Sequence, residues 1–219
     1  MSREFASSAI DNLAVGMLLV AIAIVWVRTP GQALLLFAAQ SIMLAAATVS
    51  AGLAESSPHI LIAGTLALAI KGIAAPVLLW VVLQRISPFR DMDVVVNRRM
   101  GLALAVGFAL VFGQAFDGEP FVAAIGAQRV LPTAVTVVVI GLQLMATRRQ
   151  AVSQALGFLM LENGMALAAL TATNGLPLGV ELGIFLDLFL VVLVIFVYAA
   201  RMHVIFGSLD TDRLRSLRG

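Results

Sequence analysis

Apolar residues gather in seven runs along the chain, separated by short polar breaks. The runs cover 10–27, 32–53, 60–84, 100–116, 130–147, 152–173 and 178–200. A helix needs roughly 20 mainly apolar residues to cross a bilayer, and each run approaches or exceeds that length. The breaks carry turn residues: Thr29-Pro30-Gly31, Ser56-Ser57-Pro58, Ser87-Pro88, Asp117-Gly118-Glu119-Pro120 and Asn174-Gly175-Leu176-Pro177. The pattern predicts an all-α integral membrane protein of about seven transmembrane helices. Residues 121–127 form a shorter apolar piece before the fifth run, a candidate re-entrant or interfacial segment.

Composition agrees with this reading. Of the 219 residues, 61% are hydrophobic and 12% charged, where a soluble domain averages about 25% charged. So much apolar surface finds no room in one small core, and a bilayer is the solvent that accommodates it. The first run lacks a basic segment before it and a small-residue cleavage site after it, so it reads as a retained helix and not a signal peptide.

The arginines set the sidedness. With the N-terminus outside and seven crossings, the outer face receives Arg3 and Arg129. The inner face receives Arg28, Arg85, Arg90, Arg98, Arg99, Arg148, Arg149, Arg201, Arg213, Arg215 and Arg218. This is a strong positive-inside bias, and it places the C-terminus in the cytoplasm. Topology thus accounts for the basic balance, and nothing in the arginine spacing suggests a nucleic-acid site. No cysteine is present, and His59 and His203 belong to no ligand-spaced cluster, so neither a metal nor a cofactor is expected. The long hydrophilic loop 85–99 parts three helices from four. A second division at 117–129 gives an N-terminal region 1–116 of four helices and a C-terminal region 117–219 of three.

Four charged residues inside the apolar runs, Asp11 at the start of the first run aside, are candidates for chemistry. Lys71, the single lysine, lies near the middle of the third, Glu162 near the middle of the sixth and Asp187 near the middle of the seventh, with Glu181 closer to that helix's outer end. A charge at the centre of a spanning helix costs about 2.5–3.5 kcal/mol on insertion scales, so such groups face protein or water and find partners. An apolar medium disfavours the charged form of an acid or an amine, and a nearby opposite charge favours it. Groups balanced in this way can exchange protons near neutral pH, and a row of them at one depth is a proton relay. The plain alternative is static: a Lys71 salt bridge with Glu162 or Asp187 that only holds helices together. Asn163, and Thr136, Gln143 and Thr147 on one stripe of the fifth helix, suit hydration of a relay. Gly64, Gly72, Gly157 and Gly164 permit close helix approach. Pro76 removes a helix hydrogen bond and is expected to free the Gly72 carbonyl at a kink. Glu55, His59, Asp117 and Glu119 read as solvated loop residues, and Trp26, Trp80 and Tyr198 as interface aromatics.

The stretch RRQAVSQALGFLMLENGMALAAL resembles the second helix of the K subunit of respiratory complex I and of the C subunit of multisubunit cation/proton antiporters. There a basic pair precedes a helix with a central Leu-Glu. The tail RMHVIFGSLDTDRLRSLRG is similar to the K-subunit tail. A K subunit has only three helices, however. Over essentially its full length, through KGIAAPVLL, LMLENGMALAAL and LPLGVELGIFLDLFLVVLVI, the chain resembles component E of hydrogenase-4. That is a membrane subunit of formate-hydrogenlyase-type, group 4 [NiFe] hydrogenase complexes. The resemblance implies a multi-pass subunit of a prokaryotic plasma (inner) membrane that is not an enzyme by itself. It also implies antiporter-like membrane subunits, a membrane anchor subunit and peripheral hydrogenase and iron–sulfur subunits as partners. Glu162 matches the K subunit's intramembrane glutamate. Asp187 stands near the place of its second glutamate, with Glu181 as a competing match, and Lys71 has no K-subunit counterpart.

Overall fold

Proline and small polar residues start the helices where the sequence breaks. Pro30 occupies the first turn of the second helix, where its missing N–H costs nothing, and the Thr29 hydroxyl accepts from the Gln32 amide at 3.4 Å. That helix ends at Ser56, which turns into the left-handed region (φ 52°) while its N–H and that of Ser57 return to the Gly52 carbonyl. Pro58 then opens the next helix. Asn97 caps a later one by accepting from the Arg99 amide at 3.1 Å.

The computed structural model describes residues 3–86, 97–119, 129–149 and 151–172. Every secondary-structure element among them is a helix. In chain order these are α1 (Arg3–Trp26), α2 (Pro30–Glu55), α3 (Pro58–Ala67), a π-helical segment (Leu68–Ala74), α4 (Ala75–Ile86), α5 (Arg98–Ala115), α6 (Val130–Thr147) and α7 (Ala151–Ala172). The α3–π–α4 run is continuous and forms one rod. α1, α2, the rod and α6 are each long and apolar enough to cross a membrane. Of the other expected crossings, α5 opens on Arg98-Arg99, α7 carries Glu162 and Asn163, and the run 178–200 lies outside the described residues. α1 starts seven residues before its apolar run, adding two polar turns.

α6 and α7 make the most extensive helix pair, with α1 on α2 next. Glycines bring α6 and α7 together. A methyl group on Gly141 would lie 2.7 Å from the Gly157 carbonyl oxygen, and one on Gly164 would lie 2.9 Å from the Ala134 carbonyl. Contacts this short leave room only for hydrogen. The expected close approach therefore holds at Gly157 and Gly164, and at Gly64 against the Val49 backbone of α2. Gly72 differs, since it meets only the side chains of Leu68 and Ile42, and Gly141 is an additional site.

Two apolar clusters fill the bundle. One joins Val25, Phe37, Leu79, Val137, Ile140, Leu144, Leu159 and Met160. The other joins Ala14, Met17, Leu44, Val130, Ala134 and Leu167. Large apolar side chains also point outward in mid-helix, among them Leu19, Leu35, Ile62 and Leu110, each more than 60% exposed. Such surface is stable against lipid and not against water. One end of the bundle is knotted by long-range bonds. Arg148, just past α6, donates to the Val25 carbonyl at 2.8 Å, and Gln143 donates to the Gly101 carbonyl at 2.7 Å. The end of α1, the start of α5 and the end of α6 thus meet, which gathers Arg28, Arg98, Arg99, Arg148 and Arg149 at the same end.

Candidate functional site

The site begins with a backbone irregularity. Pro76 has no N–H, so an α-helix passing through it would leave one carbonyl unpaired. Instead the chain widens over Leu68–Ala74, and the Ala75 N–H reaches back five residues to Ile70. This revises the carbonyl expected to be freed: in the wider register, the donor that Pro76 lacks falls opposite the Lys71 carbonyl and not that of Gly72. Lys71 rides on the widened turn, which packs on α2.

From there the Lys71 ammonium reaches α7, where Nζ lies 2.8 Å from Glu162 Oε1. Both side chains are almost fully enclosed, at 6% and 2% exposure. Of the two partners the sequence offered Lys71, the structure brings Glu162 to it. Asp187 and Glu181 lie outside the described residues. Consecutive helix residues point about 100° apart, so Asn163 faces a different neighbour. Its amide donates to Ser41 Oγ at 3.0 Å and to Gln40 Oε1 at 3.3 Å, both on α2. Gln40 in turn donates to the Met17 carbonyl of α1 at 3.1 Å. A buried polar layer thus crosses the bundle from the rod through α7 and α2 to α1. It lies between the two apolar clusters.

Gln40 and Ser41 were missed in the sequence, although they too form a polar pair near the centre of an apolar run. Thr136, Gln143 and Thr147 are the reverse case. The threonines donate to carbonyls one turn back, at Pro132 and Gln143, and Gln143 ties α6 to α5. Their hydrogen bonds serve α6 and its packing, and the polar layer does not include them. Glu55, His59, Asp117 and Glu119 are exposed as expected, but Glu55 and His59 lie in the end turns of α2 and α3 and not in a loop. Trp26 is half-exposed near a helix end, and Trp80 lies against Gly31. Among the described residues, no three His, Asp or Glu side chains come together to hold a metal ion.

Asn163 bridges two helices, and its Oδ1 is enclosed without a hydrogen-bond partner among the described residues. Truncating it to alanine removes two donors across the α2–α7 contact. Hydrogen bonds between membrane helices are worth about 0.6 kcal/mol on average and up to about 1.7. Asn163→Ala is expected to lower stability by about 1 kcal/mol, read by thermal unfolding in detergent.

A full-length relative exists. Rv0085, an uncharacterized protein of Mycobacterium tuberculosis (strain ATCC 25618 / H37Rv), is 36% identical over 226 aligned positions spanning 100% of both chains. The chain belongs to the Rv0085 family. No family model matches the chain, and no solved structure matches it. Because the alignment runs end to end, the unit shared within the Rv0085 family is the whole chain, and not its last three apolar runs alone.

Proposed function

We propose that the chain is a non-catalytic membrane-arm subunit of a complex I-related, energy-converting complex of the group 4 [NiFe] hydrogenase type. In this reading it crosses the inner membrane seven times, with the N-terminus outside and the C-terminus in the cytoplasm. Lys71 and Glu162 take part in proton translocation, with Asp187 or Glu181 as a further relay acid. The single observation that carries the proposal is the enclosed Lys71–Glu162 contact at 2.8 Å, in the middle of two apolar helices.

The chemistry follows from that contact. In an apolar setting a charged pair and a neutral pair lie closer in energy than they do in water, because desolvation penalises both charges. A proton passing from the ammonium to the carboxylate leaves an amine and an acid. Either can hand on or receive a proton if a further group approaches. Two features support this reading. Wide helical turns such as the one beneath Lys71 concentrate at functional positions. Intramembrane ionisable groups are functional candidates by default, and proton relays are among the roles they fill.

A second reading has its own observation. Asn163 ties α7 to α2 beside the ion pair, as expected if the whole layer were structural glue in a spacer subunit. A role as the C-type subunit of a multisubunit cation/proton antiporter is a third.

Capture of the tagged chain from gently solubilised membranes separates these assemblies by mass spectrometry. Antiporter-like subunits together with a [NiFe] hydrogenase large subunit are the expected companions. Antiporter subunits without any redox partner would favour the third reading, and a chain that comes alone would sink the proposal.

A further inference from the structure

At the end of the bundle where α1, α5 and α6 meet, positive charge accumulates without a described counter-charge. Arg148 is 3% exposed. One of its terminal nitrogens donates to the Val25 carbonyl, while the other, Nη1, is enclosed and has no hydrogen-bond partner among the described residues. Arg98 occupies the first turn of α5 and is half-buried, and its Nε is likewise enclosed and unpartnered among those residues. Burial pushes the Arg148 guanidinium below its ordinary value, and the charge of Arg98 pushes it further.

Three unfavourable features coincide here. Two guanidinium groups repel each other. A cation sits at a helix N-terminus, where the helix dipole is itself positive. Strong donors are enclosed and unused among the described residues, so the desolvation of each goes uncompensated. No carboxylate forms an ion pair with either arginine among the described residues. An anion would remove all three penalties together. Planar guanidinium forks and helix N-termini are both suited to phosphate oxygens.

We infer that Arg98 and Arg148, with the N-terminus of α5, form a binding site for a phosphate group at the membrane surface, of the kind carried by an anionic phospholipid. This rests on the membrane reading of the apolar helices and not on the proton-relay proposal. Basic pockets between helix ends bind lipid headgroups by the same chemistry. Arg148 is the fixed member, held by Val25. Arg98, half-buried, is the side from which the phosphate enters.

The test uses the full-length purified chain, titrated with phosphatidylglycerol, phosphatidylcholine or inorganic phosphate. Bound species are counted by native mass spectrometry, and stability is followed by thermal unfolding. Phosphatidylglycerol is expected to bind and stabilise, phosphatidylcholine much less. Arg98→Gln weakens the phosphatidylglycerol affinity about tenfold. Arg28→Gln, which removes an exposed arginine at the same end, leaves the affinity nearly unchanged. Inorganic phosphate that competes with the lipid would assign the site to a soluble anion as well, and it too requires Arg98. Equal losses in Arg98→Gln and Arg28→Gln would reduce the effect to general surface charge and overturn the proposal. An Arg98→Gln chain that binds both probes as the parent does would also overturn it. Arg148→Lys, which keeps the charge but loses the fork, guards against misfolding as the explanation: it is expected to fold and still bind more weakly.

Discussion

Glu162→Ala is expected to lower the stability of the chain by about 3–5 kcal/mol, and adding Lys71→Met to it is expected to restore most of that loss. The size comes from the enclosure of the pair. Removing the carboxylate leaves the Lys71 ammonium without the oxygen 2.8 Å away, in a site with 6% exposure. Replacing both partners by apolar side chains removes the buried charges together, which is often neutral or stabilising. The comparison also separates the two functional readings. If the layer is a relay, the repaired double variant assembles but translocates no protons. If the layer is glue, the same variant assembles and works. Glu162→Gln sharpens the test, because it keeps shape and hydrogen bonding while losing the titratable group. Proton translocation by membrane vesicles is expected to fall to background with assembly intact, and a normal rate in that variant would end the relay role of Glu162.

Gly157→Ala is the second large effect, expected to cost about 3 kcal/mol, at the upper end of overpacking penalties. The new methyl group would lie 2.9 Å from the Gly141 carbonyl and 3.0 Å from the Met145 amide nitrogen. Those neighbours are backbone atoms, and no rotamer change relieves the clash. The helices α6 and α7 must separate. Since Glu162 lies five residues further along α7, the movement also draws its carboxylate away from Lys71. On the relay reading, impaired proton translocation would accompany the loss of stability. Gly107→Ala in α5 is the control: nothing lies within 4 Å of the added methyl group, and alanine's better helix propensity should give a small gain. Thermal unfolding in detergent reads both variants, and equal stability in Gly157→Ala would mean that the helices do not pack as closely as described.

Much of this arrangement is legible in the sequence because apolar length and turn residues act locally. Pro30, Pro58 and Asn97 mark helix starts whatever the neighbours do. Lys71 and Glu162 stand out because a charge in hydrocarbon is costly in any fold. The pairing itself is different in kind. Lys71 had two possible acids, and only the packing of the rod on α2, and of α2 on α7, selects Glu162 among the described residues. Pro76 announces a disturbed helix, but the form it takes, a π-helical turn over Leu68–Ala74, depends on how that segment packs on α2. The threonine stripe of α6 misled because a hydroxyl on a helix can bond its own preceding turn, and sequence spacing does not distinguish that from facing a polar interior. Arg148 looked like one topology marker among many, and its burial follows from a contact with Val25, 123 residues away.

The layer of Lys71, Glu162, Asn163, Gln40 and Ser41 runs across the bundle, closed off on one side by Val137, Ile140, Leu159 and Met160 and on the other by Met17, Leu44 and Leu167. The described helices thus insulate it from both faces. On the proposed reading, a proton held there would travel sideways toward a neighbouring subunit, because it meets apolar side chains above and below the layer. Such a chain could carry charge along a membrane assembly without short-circuiting the voltage that the assembly maintains.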